Sequence, residues 1–298
     1  MKCIISGGTG FIGRRVVDRL LKDTHYVGVW SRRPGQDNRT AVATHSWDPL
    51  VGEPPLESLN GMDCVIHLAG ENVAQRWTPD VKRRIHDSRV KSTENIISAI
   101  GKVRHKPKVF ICASAIGIYG NRGDEVLTEE SVPGTGFLAD TCRAWEAEAD
   151  RARNYGMRVV KIRIGFVLGK DGGALQKMVP AFKMFVGGKL GSGKQWMPWV
   201  HVNDVAEVFA YAVNNEISGV WNATAPNPVR NSEFTKELAS VLGRPALFPV
   251  PPPALKLAFG EFAQHMVDSA RVVPEKLTKA GFQFQYPELS GALRNLLG

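Results

Sequence analysis

Three glycines at intervals of three residues follow the first apolar run of the chain, which spans residues 2–6. The first glycine allows a sharp turn out of a strand, and the second lets a pyrophosphate approach the backbone. The third lets the next helix, predicted over residues 11–21, pack closely and direct its N-terminal N–H groups at the phosphates. The pattern predicts a dinucleotide site. The residues predicted to contact the dinucleotide here are Gly7, Thr9, Gly10, Phe11, Ile12 and Gly13.

A hydroxyl and two guanidinium groups stand at the end of the second predicted strand, Tyr26–Trp30. They belong to Ser31, Arg32 and Arg33. An NAD site usually has an Asp or Glu here, which binds the ribose 2′-hydroxyl. Because this chain has no acid at that point and two arginines suit a 2′-phosphate, we expect NADP rather than NAD. The alternative is that the arginines only cap a solvent-exposed turn.

Small residues at the end of a third strand extend the predicted cofactor site. The buried strand around residues 63–68 ends in Leu68, Ala69 and Gly70, and the two small side chains leave room for a cofactor to cross the strand. A single helix is predicted over residues 79–100, where Arg89 is a candidate for the cofactor phosphates and solvent exposure is its alternative. Val167, after the strand predicted at 157–164, completes the set.

Two hydroxyl groups are candidates for proton transfer. Ser114 ends the predicted strand over residues 109–113, and Tyr119 follows it closely. A positioned tyrosine can act as a general acid or base, and a serine can hydrogen-bond the reacting oxygen. The alternative for Tyr119 is an aromatic side chain that only lines a pocket.

The second half of the chain contains most of a P-loop pattern, from Gly188 to Lys194. Gln195 follows where the motif needs Ser or Thr, and no strand leads into it. We therefore predict a flexible loop over the substrate pocket, with residues 194–196 available to a ligand. Asp204 is predicted as a helix N-cap. No metal-ligand spacing is present, and no metal is expected.

The predicted elements alternate between strand and helix, which is typical of an α/β fold with a Rossmann-type doubly wound parallel sheet. Prolines become frequent after residue 225, where short helices are predicted. We therefore expect an NADP-binding domain from residues 1–169 and 199–224. Residues 170–198 and 225–298 form a smaller, mainly C-terminal substrate lobe, and ligands bind between the two at the carboxyl ends of the strands.

Composition narrows the classes of partner. The chain of 298 residues has a net charge of +9, but its basic residues are dispersed, so we expect no nucleic acid. No apolar run is long enough to cross a membrane, and the chain enters a strand without a signal peptide. The four cysteines lack paired spacing, which predicts buried thiols in a reducing cytoplasm. The expected partner is a small-molecule substrate, and a homodimer is left open.

Several segments together resemble the extended short-chain dehydrogenase/reductases. They are the glycine turn, residues 68–70, Ser114 with residues 119–120, and residues 199–205. The chain resembles an atypical branch more closely, whose members are named nucleoside-diphosphate-sugar epimerases and in some cases SulA-like cell-division proteins. The segments that carry this closer resemblance, which runs over essentially the full length, are residues 68–72, 76–77, 142–146 and 191–193 with 199–201.

The resemblance also implies a catalytic pair that this chain lacks. Enzymes of the superfamily use Tyr-x-x-x-Lys, in which the lysine lowers the pKa of the tyrosine and holds the ribose. None of the five tyrosines has a lysine four residues later, and Phe137 and Thr141 stand where the pair is expected. Two functions remain open. One is an NADP-dependent oxidoreductase or epimerase acting on a small polar substrate, for which a sugar nucleotide is a candidate. The other is a non-catalytic NADP-binding sensor or scaffold. The missing pair favours the second, whereas the retained Ser114 and Tyr119 and the second lobe favour the first.

Overall fold

The computed structural model describes residues 1–34, 39, 41–246 and 248–298. Seven strands form one sheet in the spatial order β3-β2-β1-β4-β5-β7-β11, and every pair of neighbours runs parallel. This order confirms the predicted doubly wound α/β fold. The strands of the sheet are β1 (Lys2–Ser6), β2 (Tyr26–Ser31), β3 (Val42–Ser46), β4 (Cys64–His67), β5 (Val109–Ala115), β7 (Arg158–Ile164) and β11 (Gly219–Ala223).

Helices and short strands connect and extend this sheet. The helices are α1 (Phe11–Lys22), α2 (Leu56–Leu59), α3 (Pro79–Asp87), α4 (Val90–Lys102), α5 (Phe137–Asp150), α6 (Gly173–Lys183), α7 (Val202–Asn214), α8 (Asn231–Leu242), α9 (Pro252–Phe259), α10 (Phe262–Val267), α11 (Glu275–Lys279) and α12 (Leu289–Leu297). The short strands pair in twos: β6 (Val126–Leu127) with β13 (Arg271–Val272), β8 (Phe166–Gly169) with β10 (Trp199–His201), and β9 (Trp196–Met197) with β12 (Val229–Arg230). Single 3₁₀ turns cover Ile116–Tyr119 and Arg151–Tyr155.

The main hydrophobic core lies between the sheet and the helices on its faces. The central strands are apolar along their length because both faces of a parallel sheet are covered, and β4 is buried at every residue. Helix α1 contributes Val16, Val17 and Leu20 from one face, at the spacing of an amphipathic helix. All four cysteines are buried and free, as predicted.

A second hydrophobic cluster lies beyond the sheet. It combines Phe182 of α6, Phe234 and Leu238 of α8, and Leu293 of α12 with Trp199 of β10. Its members come from segments that are far apart in the chain, so tertiary contacts rather than local sequence assemble it. The division of the chain into two domains at the residues given above remains a prediction.

The helix predicted over residues 79–100 is two helices, because side chains occupy the carbonyl group that would continue it. Arg89 Nη1 donates to the Ile85 carbonyl at 2.9 Å, and Ser88 Oγ donates to the same oxygen at 3.1 Å. The Arg89 backbone N–H turns instead to His86 O. Side chains that compete with the helical hydrogen bond end α3 here.

The N-cap predicted at Asp204 is wrong by three residues. Helix α7 begins at Val202, and the N-cap is His201, whose Nδ1 accepts the Asn203 N–H at 3.1 Å. Asp204 lies inside the first turn, where its carboxylate accepts the backbone N–H groups of Gln285 at 2.7 Å and of Tyr286 at 3.1 Å. These partners are 81 and 82 residues away, so only the tertiary structure reveals them.

Candidate functional site

The glycine turn lies at the carboxyl end of β1, and its three glycines have different surroundings. Gly7 has φ +72°, and a Cβ there would lie 2.8 Å from the Ala69 nitrogen. A Cβ on Gly13 would lie 2.0 Å from the Gly7 carbonyl oxygen. A Cβ on Gly10 would meet only that same oxygen, at 3.2 Å. Two glycines are therefore required by the packing of the protein, whereas the third leaves an open approach to the backbone.

A buried chain of hydrogen bonds joins β1 to β4 and α4 below this turn. It was not predicted from the sequence. Ser6 Oγ lies 2.5 Å from His67 Nδ1, and His67 Nε2 lies 3.0 Å from Ser92 Oγ. Ser6 Oγ also accepts the backbone N–H groups of Leu68 and Ala69. Because Ser6 therefore donates to Nδ1, His67 carries its proton on Nε2. Burial, helped by the charge of Arg89, lowers the pKa of His67 to about 3, so the imidazole stays neutral.

The end of β2 presents the predicted basic residues to solvent. The hydroxyl of Ser31, which is buried, accepts the Arg33 backbone N–H at 3.1 Å and keeps its own proton available for donation. Arg32 and Arg33 are exposed. Neither side chain has a hydrogen bond or ion pair within the described part of the chain. Strand β2 is next to β1 in the sheet, so this end lies beside the glycine turn.

Arg89 lies at the end of β4 and is largely enclosed by protein. Its guanidinium stands 5.3 Å from the centre of the Trp145 ring and donates from Nη2 to Glu71 O at 3.0 Å. A Cβ on Gly70 would lie only 3.3 Å from this guanidinium. Burial lowers the pKa of Arg89. The side chain therefore fixes the loop after β4, and Gly70 allows it to lie there.

Phe11 packs against the loop that follows β8. A Cβ on Gly169 or on Gly172 would lie 2.4 Å from the Phe11 ring, so both glycines are needed for the ring to lie there. On the same loop, Asp171 forms exposed ion pairs with Arg14 and Arg15 of α1. These contacts bring β8, the strand of Val167, next to the glycine turn.

Both predicted acid–base hydroxyls take part in an interior polar network. Ser114 Oγ donates to Glu146 Oε1 at 2.6 Å, and Arg163 holds both oxygens of the same carboxylate at 2.8 and 3.0 Å. Arg163 Nη1 also donates to the Tyr119 hydroxyl at 3.0 Å, and that hydroxyl lies 2.8 Å from Asn222 Oδ1. Tyr119 is 0% exposed and Ser114 is 2% exposed.

In this network Glu146 and Arg163 form a charged pair, and the Tyr119 hydroxyl stays protonated and neutral. Burial opposes the charge of Arg163, but hydrogen bonds and attraction from Glu146 raise its pKa nevertheless. Burial also raises the pKa of Tyr119, against the opposite influence of Arg163. A buried ion pair of this kind requires its full set of hydrogen bonds, and here Ser114 and Tyr119 provide two of them.

The positions expected for Tyr and Lys have different environments. Phe137 is the first residue of α5, and its ring contacts Trp77 with centroids 5.0 Å apart. The ammonium of Lys82 stands 5.2 Å from the centre of the Phe137 ring and pairs with Glu261. Thr141, one turn later on α5, is buried. Within the described residues, no tyrosine stands beside a lysine in this arrangement.

Trp196 contacts two arginines of the segments outside the sheet. The guanidinium carbons of Arg230 and Arg271 stand 4.5 and 4.6 Å from the centre of its ring. Asp124 accepts from Trp196 Nε1 at 2.8 Å and pairs with Arg230 at 3.0 Å. Arg271 has a buried Nε without a hydrogen-bond partner in the described chain. Cation–π stacking fixes both guanidiniums while leaving donors of Arg271 unused.

The P-loop pattern does not form a P-loop, and the flexibility predicted for this loop remains a prediction. Among the described residues, helix α6 rather than a strand precedes it, and Gln195 is buried, with Nε2 donating to Leu190 O at 3.1 Å. Of the three residues predicted to be available to a ligand, Gln195 is therefore occupied by the protein. The described residues contain no cluster of His, Cys, Asp or Glu able to hold a metal ion. They also contain no helix long and apolar enough to span a membrane.

Comparison with known proteins gives two family matches along the chain. Residues 3–223 match the model of the NAD dependent epimerase/dehydratase family. Residues 250–296 match a domain of unknown function, DUF1731.

Individual relatives align over the whole chain. The Arabidopsis thaliana protein named epimerase family protein SDR39U1 homolog, chloroplastic, is 40% identical over 100% of this chain and 87% of its own length. The crystal structure of human epimerase family protein SDR39U1 (isoform2) with NADPH has a TM-score of 0.88 at 31% identity, covering 100% of this chain and 99% of that one. A nucleoside-diphosphate sugar epimerase from Corynebacterium glutamicum has a TM-score of 0.80 at 33% identity, covering 100% of this chain and 58% of that chain. With its parallel sheet, glycine turn and full-length relatives, the chain belongs to the NAD dependent epimerase/dehydratase family.

Proposed function

We propose that this protein binds NADPH across the carboxyl edge of its parallel sheet. The observation that carries this proposal is the glycine turn. Backbone atoms of the protein pack against Gly7 and Gly13, whereas the backbone at Gly10 remains accessible to a ligand. An open glycine at the start of α1 lets a pyrophosphate reach the backbone N–H groups of the helix. The human relative crystallised with NADPH supports the same ligand.

The selectivity for NADPH over NADH is assigned to the end of β2. Arg32 and Arg33 are exposed and free of protein partners in the described chain, and Ser31 retains a hydroxyl proton to donate. A 2′-phosphate carries the charge and the acceptor oxygens that these groups need. An NAD-specific site would instead need a carboxylate here, and this strand end has none.

The remaining contacts to the dinucleotide come from the other strand ends. Leu68, Ala69 and Gly70 of the β4 loop lie beside Gly7, held there by Ser6 and Arg89. In this proposal Arg89 fixes the loop and directs its remaining N–H groups at the cofactor. The other proposed contacts are Thr9, Phe11, Ile12 and Val167.

We assign the substrate to the cluster of Trp196, Arg230 and Arg271. Arg271, with unused donors, and Arg230 together favour a small polar substrate that carries negative charge. A sugar nucleotide has this chemistry, in keeping with the name of the C. glutamicum relative. When bound, NADPH supplies a hydride to a carbonyl carbon of the substrate.

The proton that balances the hydride comes from water in this proposal. Ser114 and Tyr119 were candidates for the proton donor, but their hydroxyls bind Glu146, Arg163 and Asn222 inside the protein. We therefore propose that they are positioning residues, which orient the ends of β5 and β7 beneath the cofactor. A proton from water needs no side chain with a shifted pKa.

NADPH oxidation with a panel of carbonyl compounds tests the catalytic proposal. We expect slow, saturable oxidation with at least one anionic carbonyl substrate. The double variant Phe137→Tyr with Thr141→Lys rebuilds the pair at positions four apart, which share a helix face. It should raise the rate by about 10²–10⁴-fold if the pair reaches the cofactor. A variant that folds, binds NADPH and has both new side chains directed away from the nicotinamide would contradict this positional assignment.

The second candidate function is an NADP-binding sensor or scaffold without turnover. The burial of the Ser114 and Tyr119 hydroxyls favours it, because it removes the two hydroxyls that the sequence offered for catalysis. The two functions differ in one measurement. If the protein binds NADPH tightly but no carbonyl compound of the panel causes NADPH to be oxidised, the sensor function is supported. If any one compound causes NADPH oxidation, a function without turnover is excluded.

A further inference from the structure

A cavity of about 250 Å³ lies on α8, between that helix and two loops outside the sheet. It shares no residue with the proposed cofactor site or with the cluster around Trp196. Its lining combines basic and hydroxyl side chains with prolines and alanines. The lining residues are Lys189, Ser232, Thr235, Lys236, Ala239, Arg244, Pro245, Ala246 and Pro249.

The loop with the P-loop-like sequence is bound tightly to the start of α8. Asn231, fully buried, accepts the Leu190 N–H at Oδ1 (2.7 Å) and donates its own backbone N–H to Gln195 O (2.9 Å). The Ser232 N–H donates to Gly193 O at 2.9 Å. These bonds attach the loop to the start of the helix, so Lys189 belongs to the wall of the cavity that the loop forms.

Gly193 brings the side chain of Lys189 against α8. Its φ is +73°, and a Cβ there would lie 3.0 Å from Lys189 Cδ and 3.2 Å from Ser232 Cβ. The aliphatic part of Lys189 therefore passes directly over the glycine toward the helix. A glycine is needed both for the backbone conformation and for this close approach.

The cations of the cavity have no acidic partners. Within the described residues, Lys189, Lys236 and Arg244 form no ion pair with a carboxylate, although many other basic residues of the protein do. Arg244 stacks its guanidinium 5.1 Å from the centre of the Phe185 ring. On α8 itself, Glu233 is engaged by the backbone N–H of Arg230.

A buried hydroxyl in the same wall also lacks a partner. Thr235 is 4% exposed, and its Oγ1 makes no hydrogen bond within the described chain. A buried hydroxyl without a partner destabilises a folded protein, so a ligand that supplies an acceptor here would be favoured. The side chain lines the cavity alongside Lys236, its neighbour on the helix.

We propose that this cavity is a second ligand site, which binds the phosphate group of a phosphoester. Three cations that form no ion pair with a carboxylate in the described chain and two hydroxyls match the charge and the acceptor oxygens of a phosphate. Exposed apolar side chains next to the cavity, Met184, Phe185, Val186 and Phe248, favour an apolar group on the rest of the ligand. Both a soluble phosphoester and a phospholipid headgroup have this chemistry.

Calorimetric titration of the full chain with inorganic pyrophosphate, in the presence of saturating NADPH, tests the site itself. NADPH occupies the proposed cofactor site and so removes that site from the measurement. We expect the double variant Lys189→Glu with Lys236→Glu to weaken pyrophosphate binding at least tenfold, because two charge-assisted contacts are lost. The matched control Lys91→Glu with Lys108→Glu, two exposed lysines elsewhere, should change it less than twofold.

Thr235→Val separates a binding role from a structural one. Valine keeps the shape and removes the hydroxyl without a partner, so we expect an unchanged or higher melting temperature together with weaker pyrophosphate binding. A lower melting temperature with unchanged binding would show that the hydroxyl serves the fold and would overturn its part in the site. NADPH affinity in the absence of pyrophosphate should be unaffected in every variant, which separates this site from the proposed function.

Sedimentation with vesicles distinguishes the two sources of phosphate. Binding to vesicles that contain phosphatidic acid but not to phosphatidylcholine alone, lost in Phe248→Ser, supports a phospholipid headgroup. Pyrophosphate binding without vesicle binding supports a soluble phosphoester. If the parent protein binds neither pyrophosphate nor anionic vesicles, or if the Lys189 and Lys236 variant binds both as well as the parent does, the proposal is wrong.

Discussion

Removal of the two arginines at the end of β2 should convert this protein from an NADPH-selective to a non-selective binder. Arg32 and Arg33 are exposed, and neither has a partner in the described residues that would compete for the 2′-phosphate. Hydrogen bonds to charged groups contribute about 1.5–3 kcal/mol each. Because solvent screens exposed charges, we expect the lower end, about 1.5 kcal/mol for each arginine.

This magnitude corresponds to about tenfold in affinity for each arginine and about a hundredfold for both. Calorimetry with NADPH and NADH on the parent, on Arg32→Ala and on the double variant with Arg33→Ala gives the ratio of the two affinities. NADH affinity should stay nearly constant, since it has no 2′-phosphate. The ratio should also fall as salt is added, because both groups are exposed.

A control is available near the amino end of β5, whereas the two arginines follow the carboxyl end of β2. Arg104, exposed and located before the start of β5, offers the same change of charge far from the end of β2. Arg104→Ala should leave the ratio of affinities as it is in the parent. Equal affinity of the parent for NADPH and NADH, or an unchanged ratio in the double variant, would refute the assignment of the 2′-phosphate to these arginines.

Three further predictions concern the glycine turn, the buried ion pair and the effect of acid. Gly10→Val should weaken NADPH binding at least about tenfold with little change in melting temperature, since its Cβ meets only one oxygen, at 3.2 Å; unaltered affinity by calorimetry would exclude a pyrophosphate there. Glu146→Gln leaves Arg163 buried without its counter-charge and should lower the free energy of unfolding, measured with urea, by about 3–5 kcal/mol. A decrease below about 1 kcal/mol would contradict the role of the pair. The pKa of His67, about 3 when folded and below its ordinary value, implies that its contribution to stability is complete above pH 6.5 and decreases toward pH 3. Between these pH values His67 should change the free energy of unfolding by at most about 1.4 kcal/mol per pH unit. His67→Asn should reduce this dependence of the free energy of unfolding on pH.

The sequence predicted the strands β1, β2, β4, β5 and β7 and the helix α1 because their signals are local. The apolar runs of β1, β4 and β5 read as buried parallel strands, and the helix after the glycine turn has one apolar face. The break at Ser88 was missed, since it depends on two side chains that compete for the Ile85 carbonyl. The first turn of α7 was missed as well, because Asp204 looks like an N-cap until the distant backbone of residues 285–286 is seen.

The sequence by itself determined the fold class, the glycine turn and the basic residues at the end of β2, because each depends on a short contiguous segment. Only the tertiary structure decided how Ser114 and Tyr119 are used. Their hydroxyls meet Glu146 and Arg163, which lie on other elements of the fold, 32 and 44 residues away. The sequence cannot distinguish a hydroxyl that is available to a substrate from one that is hydrogen-bonded inside a salt-bridge network. The difference arises from burial among partners that are distant in the chain.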